Sequence, residues 1–189
     1  GVFVVMHDTP GDDSFAVHIG SRVRKMHTSR RDAFKSMNVV PMAHLDAEGK
    51  ITINTEGRSV KNDKVIAKTG MERAVILLQY YPGMDPDLFE DVIMKSKGVV
   101  ISGSGLGHVN ENMIPLIRKA VAKGTIVVMT SQCLNGQTNM NVYNTGRDLM
   151  KAGVISVFDM LPETAYVKLM WALANSEDVD AAKRLMRTS

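Results

Sequence analysis

Short apolar runs separated by turn residues dominate the first seventy positions of the chain. The turns include Pro10–Asp13 and Glu48–Lys50, which are rich in proline, glycine and charged residues. This pattern is typical of β-strands joined by tight turns. The chain opens on Gly1–Val5, which has the composition of a buried strand, so we expect it to be cut from a longer protein. The predicted strands of this part are Val2–Met6, Phe15–His18, Val39–Leu45 and Ile51–Ile53.

From about Ala74 the pattern changes to apolar strands that alternate with amphipathic helices. Strands joined by crossover helices form a parallel sheet, here predicted to be a doubly wound layer. The predicted strands are Ala74–Gln79, Val99–Ser102, Thr125–Met129 and Val154–Val157. The predicted helices are one from Asp85-Pro86 to Gly98, then Met113–Lys123, Thr145–Ala152, Pro162–Asn175, and Glu177–Arg187 with Ser176 as its cap.

The two patterns predict an α/β fold in two parts. Residues 1–69 form a partial domain that ends in the polar, charged connection Thr55–Thr69. Residues 70–189 form a small domain built on a four-stranded parallel sheet.

Composition restricts the class of protein. The chain has 189 residues, 44% hydrophobic and 23% charged, the balance of a globular protein. No apolar run approaches the roughly 20 residues that a membrane-spanning helix needs. Cys133 is the only cysteine, so no disulfide can form within the chain, and we expect a cytoplasmic protein.

The net charge of +3 gives no argument for a nucleic-acid partner, but its distribution is uneven. Six cations and only one acid, Asp32, lie between Arg22 and Lys35. Such a segment could hold phosphates, or it could be an ordinary basic loop in solvent. The second interpretation is favoured, because no aromatic residue is interleaved before Phe34.

Three loops follow the strands of the predicted parallel sheet, at the edge where such sheets bind ligands. They are Gln79–Gly83, Gly103–His108 and Thr130–Asn135. The glycines of the second loop have GxGxG spacing, which differs from the GxGxxG of dinucleotide-binding proteins, so a tight turn is the simpler interpretation. Cys133 has no histidine or aspartate at nucleophile–base spacing and is predicted to be a small buried thiol. The histidines show no metal-ligand spacing, so no metal is predicted.

Lys25 is the ionisable residue of most interest in the first part. Arg22 and Arg24 lie close to it in the sequence, and cationic neighbours together with partial burial would favour the neutral amine. A neutral lysine can act as a base. On this pattern alone the argument is weak, because most lysines are simply solvated.

Four segments, in order, resemble the asparaginase/glutaminase superfamily. The first, Val23–Phe34 (VRKMHTSRRDAF), is most similar to the glutaminase component of the archaeal tRNA-dependent amidotransferases. The later segments are also similar to free type I asparaginases. The other three are Gly103–Val109, Val127–Cys133, and Lys151–Ile155 with Asp159-Met160.

The resemblance implies an amidohydrolase that releases ammonia from the side chain of glutamine or asparagine through a threonine nucleophile. It implies an asparaginase-like fold, in which residues 1–69 are the C-terminal part of a larger N-terminal α/β domain. Lys25 matches the family's catalytic lysine, and His108 matches a position that borders the substrate site of a neighbouring protomer. The resemblance also implies a homodimer without a cofactor of its own. The E-type partner of the amidotransferase would carry Glu-tRNA(Gln) and use ATP and Mg.

The family's nucleophile lies in a TGGT-like motif that this sequence does not contain. The Thr-Gly pairs at Thr69 and Thr145 continue with Met71 and Arg147 instead. The 189 residues are therefore expected to be inactive alone. Two alternatives stay open: part of a cytoplasmic L-asparaginase, or a non-catalytic binding domain that keeps the fold.

Overall fold

A computed structural model describes residues 1–55 and 66–188 of the chain. The chain divides into two compact units, Gly1–Ile66 and Ala67–Ser189. Most of the predicted connection, residues 56–65, lies outside the described residues. The boundary after residue 69 therefore remains a prediction.

The first unit contains a four-stranded antiparallel sheet. Its strands are β1 (Phe3–His7), β2 (Ser14–Ile19), β5 (Ala43–Asp46) and β6 (Ile51–Ile53), in the order β1-β2-β5-β6. Each of these strands was predicted, but β5 begins four residues later than Val39. Pro41 explains the difference, because proline has no N–H to donate and regular pairing starts only after it.

The two faces of this sheet differ in how they are covered. Cross-strand pairing places Phe3, Val5, Phe15, Val17, Ile19, Ala43, Leu45, Ile51 and Ile53 on one face, with His7 as the polar member. On this face only Ala43 is buried. The opposite face carries the buried Ala16 and His18. The core of the first unit therefore lies on the side of His18, and the apolar face stays largely exposed.

A two-stranded antiparallel hairpin, which was not predicted, contacts β2 from this unit's core side. It consists of β3 (Val23–Lys25) and β4 (Phe34–Ser36), and a single 3-10 turn, Gly20–Arg22, leads into it. Three-residue strands that contain several charged side chains show no clear alternation, so the sequence pattern could not indicate them.

The second unit confirms the predicted four-stranded parallel sheet. Its order is β10-β9-β8-β7, with strands β7 (Val75–Gln79), β8 (Gly98–Gly103), β9 (Ile126–Ser131) and β10 (Ile155–Ser156). The spatial order follows the chain order, so the sheet has no switch point. The prediction of a doubly wound layer is therefore wrong, although helices cover both faces of the sheet.

The helices divide between the two faces by their position in the chain. The crossover helices α1 (Glu90–Lys95), α2 (Met113–Ala122) and α3 (Asn144–Lys151) pack in one apolar cluster with residues of β7 to β9. The last two helices, α4 (Pro162–Asn175) and α5 (Val179–Met186), bury the other face. Successive right-handed crossovers to an adjacent strand place their helices on the same side, which explains this division.

Two helix boundaries differ from the prediction. The helix expected from Asp85 to Gly98 is a 3-10 turn, Pro86–Leu88, followed by α1, which ends at Lys95; Gly98 begins β8. Asp178, rather than Ser176, caps α5 by accepting a hydrogen bond from the backbone N–H of Ala181. Within the described ranges, no helix is long and apolar enough to cross a bilayer.

Candidate active site

Lys25 ends strand β3, directly opposite Phe34 of β4. Its Nζ lies 5.9 Å from the centroid of the Phe34 ring, within the range of a cation–π contact. The side chain is exposed, so the expected partial burial is wrong for the described chain. The hairpin presents the amine to solvent, where a reaction partner could reach it.

The turn after Lys25 is stabilised by a histidine. The backbone N–H of Met26 donates to the carbonyl of Ala33 at 2.6 Å and so extends the hairpin pairing. His27 Nδ1 accepts from the backbone N–H groups of Ser29 and Arg30, each at 3.1 Å. Through these two bonds the His27 ring holds the backbone of the turn. Residues 25–28 line a shallow surface pocket beside the lysine.

Acidic side chains neutralise much of the basic segment. Arg30 donates two hydrogen bonds to Asp32, at 2.8 and 2.7 Å, and the guanidinium holds the pKa of that carboxyl below its usual value. Arg31 forms an ion pair with Asp12. Lys35 Nζ lies 3.8 Å from carboxylate oxygens of both Asp8 and Asp32, and it also donates to the backbone carbonyl of Asp8 at 3.2 Å. These pairs give the charges a role in holding the lysine-bearing hairpin, so they require no phosphate ligand.

The structure brings the three predicted loops of the second unit together at one edge of the parallel sheet. Tyr80 N–H donates to the carbonyl of Ser102, and Gln132 Nε2 donates to the carbonyls of both residues. The hydroxyl of Ser131 donates to the carbonyl of Gly105. Backbone and amide groups therefore tie all three loops into one surface.

His108 closes the glycine loop. Its backbone exchanges hydrogen bonds with Ser104, at 2.9 and 3.0 Å, and its ring packs edge-on against Tyr143 at 5.0 Å. Nδ1 lies 3.2 Å from the hydroxyl of Thr145, while Nε2 has no partner among residues 1–55 and 66–188. Burial lowers the pKa of His108, because desolvation penalises the charged form of the ring.

The structure also shows where Cys133 and Thr145 lie. Cys133 is exposed, so the prediction of a buried thiol is wrong: the residue lies in the loop beyond β9, where the chain has left the core. Thr145 lies in the first turn of α3 and partners His108. In the described part of the chain, no three His, Cys, Asp or Glu side chains group as metal ligands would.

Sequence reasoning missed the contact between His18 and Ser36. His18 is 1% exposed, and its Nδ1 lies 2.8 Å from the Ser36 hydroxyl. The available signal was its spacing: His18 and Ala16 fall on the same, core-facing side of β2. A histidine at an apolar position of a strand indicates a specific hydrogen bond, because a buried ring nitrogen without one costs free energy.

Family comparisons agree with this architecture. Residues 74–186 match the model of the glutaminase/asparaginase C-terminal domain, and residues 1–58 match the asparaginase N-terminal model. The chain therefore belongs to the asparaginase/glutaminase family, as the four sequence segments indicated.

Comparison with individual proteins gives a narrower similarity than the family models do. The chain is 49% identical over 190 residues to the D-type component of glutamyl-tRNA(Gln) amidotransferase from Pyrococcus furiosus, covering 100% of this chain and 43% of that protein. It is 47% identical over 184 residues to the protein of the same name from Thermofilum pendens, covering 96% and 41%. The chain thus spans less than half the length of these relatives.

The fold is shared with solved asparaginases. The thermostable L-asparaginase from Thermococcus kodakarensis superposes with a TM-score of 0.88 at 27% identity, over 100% of this chain and 56% of that one. L-asparaginase I from Vibrio cholerae gives 0.81 at 27% identity, over 92% and 53%. These similarities confirm the predicted asparaginase-like α/β fold.

Proposed function

We propose that this chain is part of a glutaminase that releases ammonia for the conversion of Glu-tRNA(Gln) to Gln-tRNA(Gln). The observation that carries the proposal is the hairpin with the sequence VRKMHTSRRDAF, in which Lys25 is exposed and the neighbouring Arg30 is paired with Asp32. The 49% identity to a D-type component of the amidotransferase supports glutamine as the substrate.

In this proposal Lys25 is the base. A lysine amine in its neutral form can take the proton of a threonine hydroxyl that lies within hydrogen-bond reach, and the alkoxide character so produced makes the threonine a nucleophile toward the amide carbon. The exposed amine of Lys25 is accessible for such a contact. His108 would border the substrate site of a neighbouring protomer in a homodimer.

In this proposal the nucleophile does not come from the 189 residues, because the sequence contains no TGGT-like motif. The Thr-Gly pair at Thr145 starts a helix and is engaged with His108, which leaves the family's threonine without a counterpart there. We therefore propose that the 189-residue chain hydrolyses neither glutamine nor asparagine by itself. The partner would be the E-type component of the amidotransferase, which carries Glu-tRNA(Gln) and uses ATP and Mg. The present chain would need no cofactor and would lie in the cytoplasm.

The test compares substrates on the full-length protein. Ammonia release is measured with glutamine and with asparagine, in the presence and absence of Glu-tRNA(Gln) and the partner protein. Glutamine hydrolysis that rises when tRNA and partner are added supports the proposal. Rapid asparagine hydrolysis that ignores both would identify an L-asparaginase, which the solved relatives favour. No hydrolysis of either amide would favour a non-catalytic binding domain.

A further inference from the structure

His18 lies in the middle of β2, on the face that meets the lysine-bearing hairpin. It is 1% exposed and is the largest polar side chain in the core of the first unit. Its Nε2 finds no hydrogen-bond partner in the described ranges, so Ser36 alone fixes the ring there through Nδ1, at 2.8 Å. An apolar side chain would fill the same space without that unsatisfied nitrogen, so packing by itself does not account for a histidine.

Ser36 connects this contact to Lys25. It pairs with Val23 in the β3–β4 ladder, two residues before the lysine. The backbone N–H of Met37 donates to the carbonyl of Arg22 at 2.7 Å and closes the same end of the hairpin. The same ladder pairs Lys25 with Phe34, so a shift of Ser36 along β4 would move the backbone opposite the amine-bearing residue.

Charged and titratable groups surround the His18 ring near its contact with Ser36. His44 Nδ1 lies 3.2 Å from a carboxylate oxygen of Asp8, and Lys35, the neighbour of Ser36, donates to the Asp8 carbonyl. Burial, together with Lys35 and His44, lowers the pKa of His18, while Asp8 opposes the effect. The buried ring therefore lies between the sheet and β4, in contact with Ser36.

We propose that His18 is a positioning residue for Lys25, acting through its hydrogen bond to Ser36. This inference rests on the proposed function, in which Lys25 is the base. The bond joins the sheet to the hairpin at one point, and it sets where the amine lies relative to the nucleophile.

The test uses Ser36→Ala in the full-length protein, with Ser96→Ala as the matched control. The Ser96 hydroxyl donates a hydrogen bond to the carbonyl of Val92 at 2.7 Å. Ser96→Ala therefore also removes one hydroxyl hydrogen bond, but in the second unit. Hydrogen exchange of the Met26 and Met37 amides reports on the hairpin, and kcat and KM for glutamine and asparagine report on the site. His18→Leu, which keeps the bulk without a hydrogen bond, is the second variant.

Ser36→Ala should lower the protection of the two amides by about ten-fold, the effect of one lost hydrogen bond on local opening. It should lower kcat by about ten-fold or more with KM within about two-fold, since a misplaced base affects the chemical step. Ser96→Ala should change neither quantity. The double variant with His18→Leu should be no worse than the more severe single variant, because both remove the same bond.

If the Met26 and Met37 amides keep their protection in Ser36→Ala, the hydrogen bond from His18 to Ser36 does not hold the hairpin. If protection is lost but kcat is unchanged, His18 does not position Lys25 for catalysis. If the unmutated full-length protein hydrolyses neither amide, the proposed function fails and with it the role toward catalysis. The exchange measurements would still show in that case whether His18 holds the hairpin.

Discussion

Lys25 stands at the end of a short strand with its amine over the Phe34 ring, exposed and next to a turn fixed by His27. Its surroundings stabilise the backbone rather than the amine: the nearby ion pairs join Arg30 to Asp32 and Arg31 to Asp12. The side chain can therefore be changed with little effect on folding.

Lys25→Met in the full-length protein should reduce kcat for amide hydrolysis by about 10²- to 10⁴-fold, the usual contribution of a general base. The unfolding midpoint should stay unchanged, because the residue is exposed. Lys50→Met, the same chemical change in the turn between β5 and β6, serves as the control. Activity within a few-fold of wild type would remove Lys25 from the mechanism.

Two histidines, the buried His18 and the half-buried His108, should make stability depend on pH. Burial holds the pKa of His18 and of His108 below the ordinary value, so the unfolded chain binds protons that the folded chain does not. The free energy of unfolding should therefore fall as the pH drops below about 6.5, and level off once the folded-state pKa values are passed. Urea unfolding at pH 7.5 and 5.5 measures this loss. The loss of unfolding free energy between these two pH values should be smaller in His18→Asn than in the wild type. Equal losses in the two proteins would contradict a contribution from His18.

At the scale of elements, the glycine loop between β8 and α2 depends on the absence of a side chain. Gly107 has a φ of +99°, and a Cβ there would lie 2.8 Å from Met129 Cγ and 3.1 Å from Thr138 Cγ2. Gly105, in the same loop, has a φ of +48° with nothing within 4 Å of an added Cβ. The pair separates backbone strain from steric overlap.

Gly107→Ala should destabilise the protein by about 2–4 kcal/mol, and Gly105→Ala by about 1 kcal/mol, because only the first adds a steric overlap to the cost of a positive φ. Urea unfolding of both variants gives the comparison. The carbonyl of His108 bonds across this loop, so Gly107→Ala should also displace the histidine ring. Equal losses in the two variants would mean that Met129 and Thr138 yield without cost.

The start of α5 offers a test of capping. Asp178 accepts from the Ala181 N–H at 2.6 Å, whereas the hydroxyl of Ser176 is buried without a partner in the described residues. Asp178→Ala should cost about 1 kcal/mol of stability. Ser176→Ala should be neutral or stabilising, since it removes an unsatisfied polar group. If thermal unfolding shows that Ser176→Ala is the less stable of the two variants, Ser176 is the cap, as the sequence indicated.

At the scale of the whole molecule, the first unit leaves one apolar face of its antiparallel sheet exposed. Phe3 is 41% exposed, Val5 53%, Ile51 60% and Ile53 69%, and all four share one face. Contiguous apolar patches of this kind favour association.

The 189-residue chain should therefore self-associate as its concentration rises, as sedimentation velocity would show. Val5→Thr combined with Ile53→Thr should shift it toward monomer. Leu88→Thr, which changes a residue 75% exposed in the second unit, should have no comparable effect. A wild-type chain that stays monomeric at high concentration would contradict this expectation.

The sequence by itself determined the strands and helices of the second unit to within a few residues. Its signals are local: apolar runs for buried strands, a 3.6-residue period for helices, and glycine at chain reversals such as Gly124 and Gly153. It also placed three loops at one edge of the sheet, because the carboxyl ends of parallel strands meet there. The amino-acid sequences of four segments indicated the family.

The tertiary structure alone decided which groups meet across long stretches of chain. His18 and Ser36 are 18 residues apart, Arg31 and Asp12 are 19, and His108 and Thr145 are 37. Periodicity carries no information about such pairs, since they depend on how strands register and how loops return. For the same reason the structure, not the pattern, showed that Lys25 and Cys133 are exposed and that one apolar face of the first sheet is open.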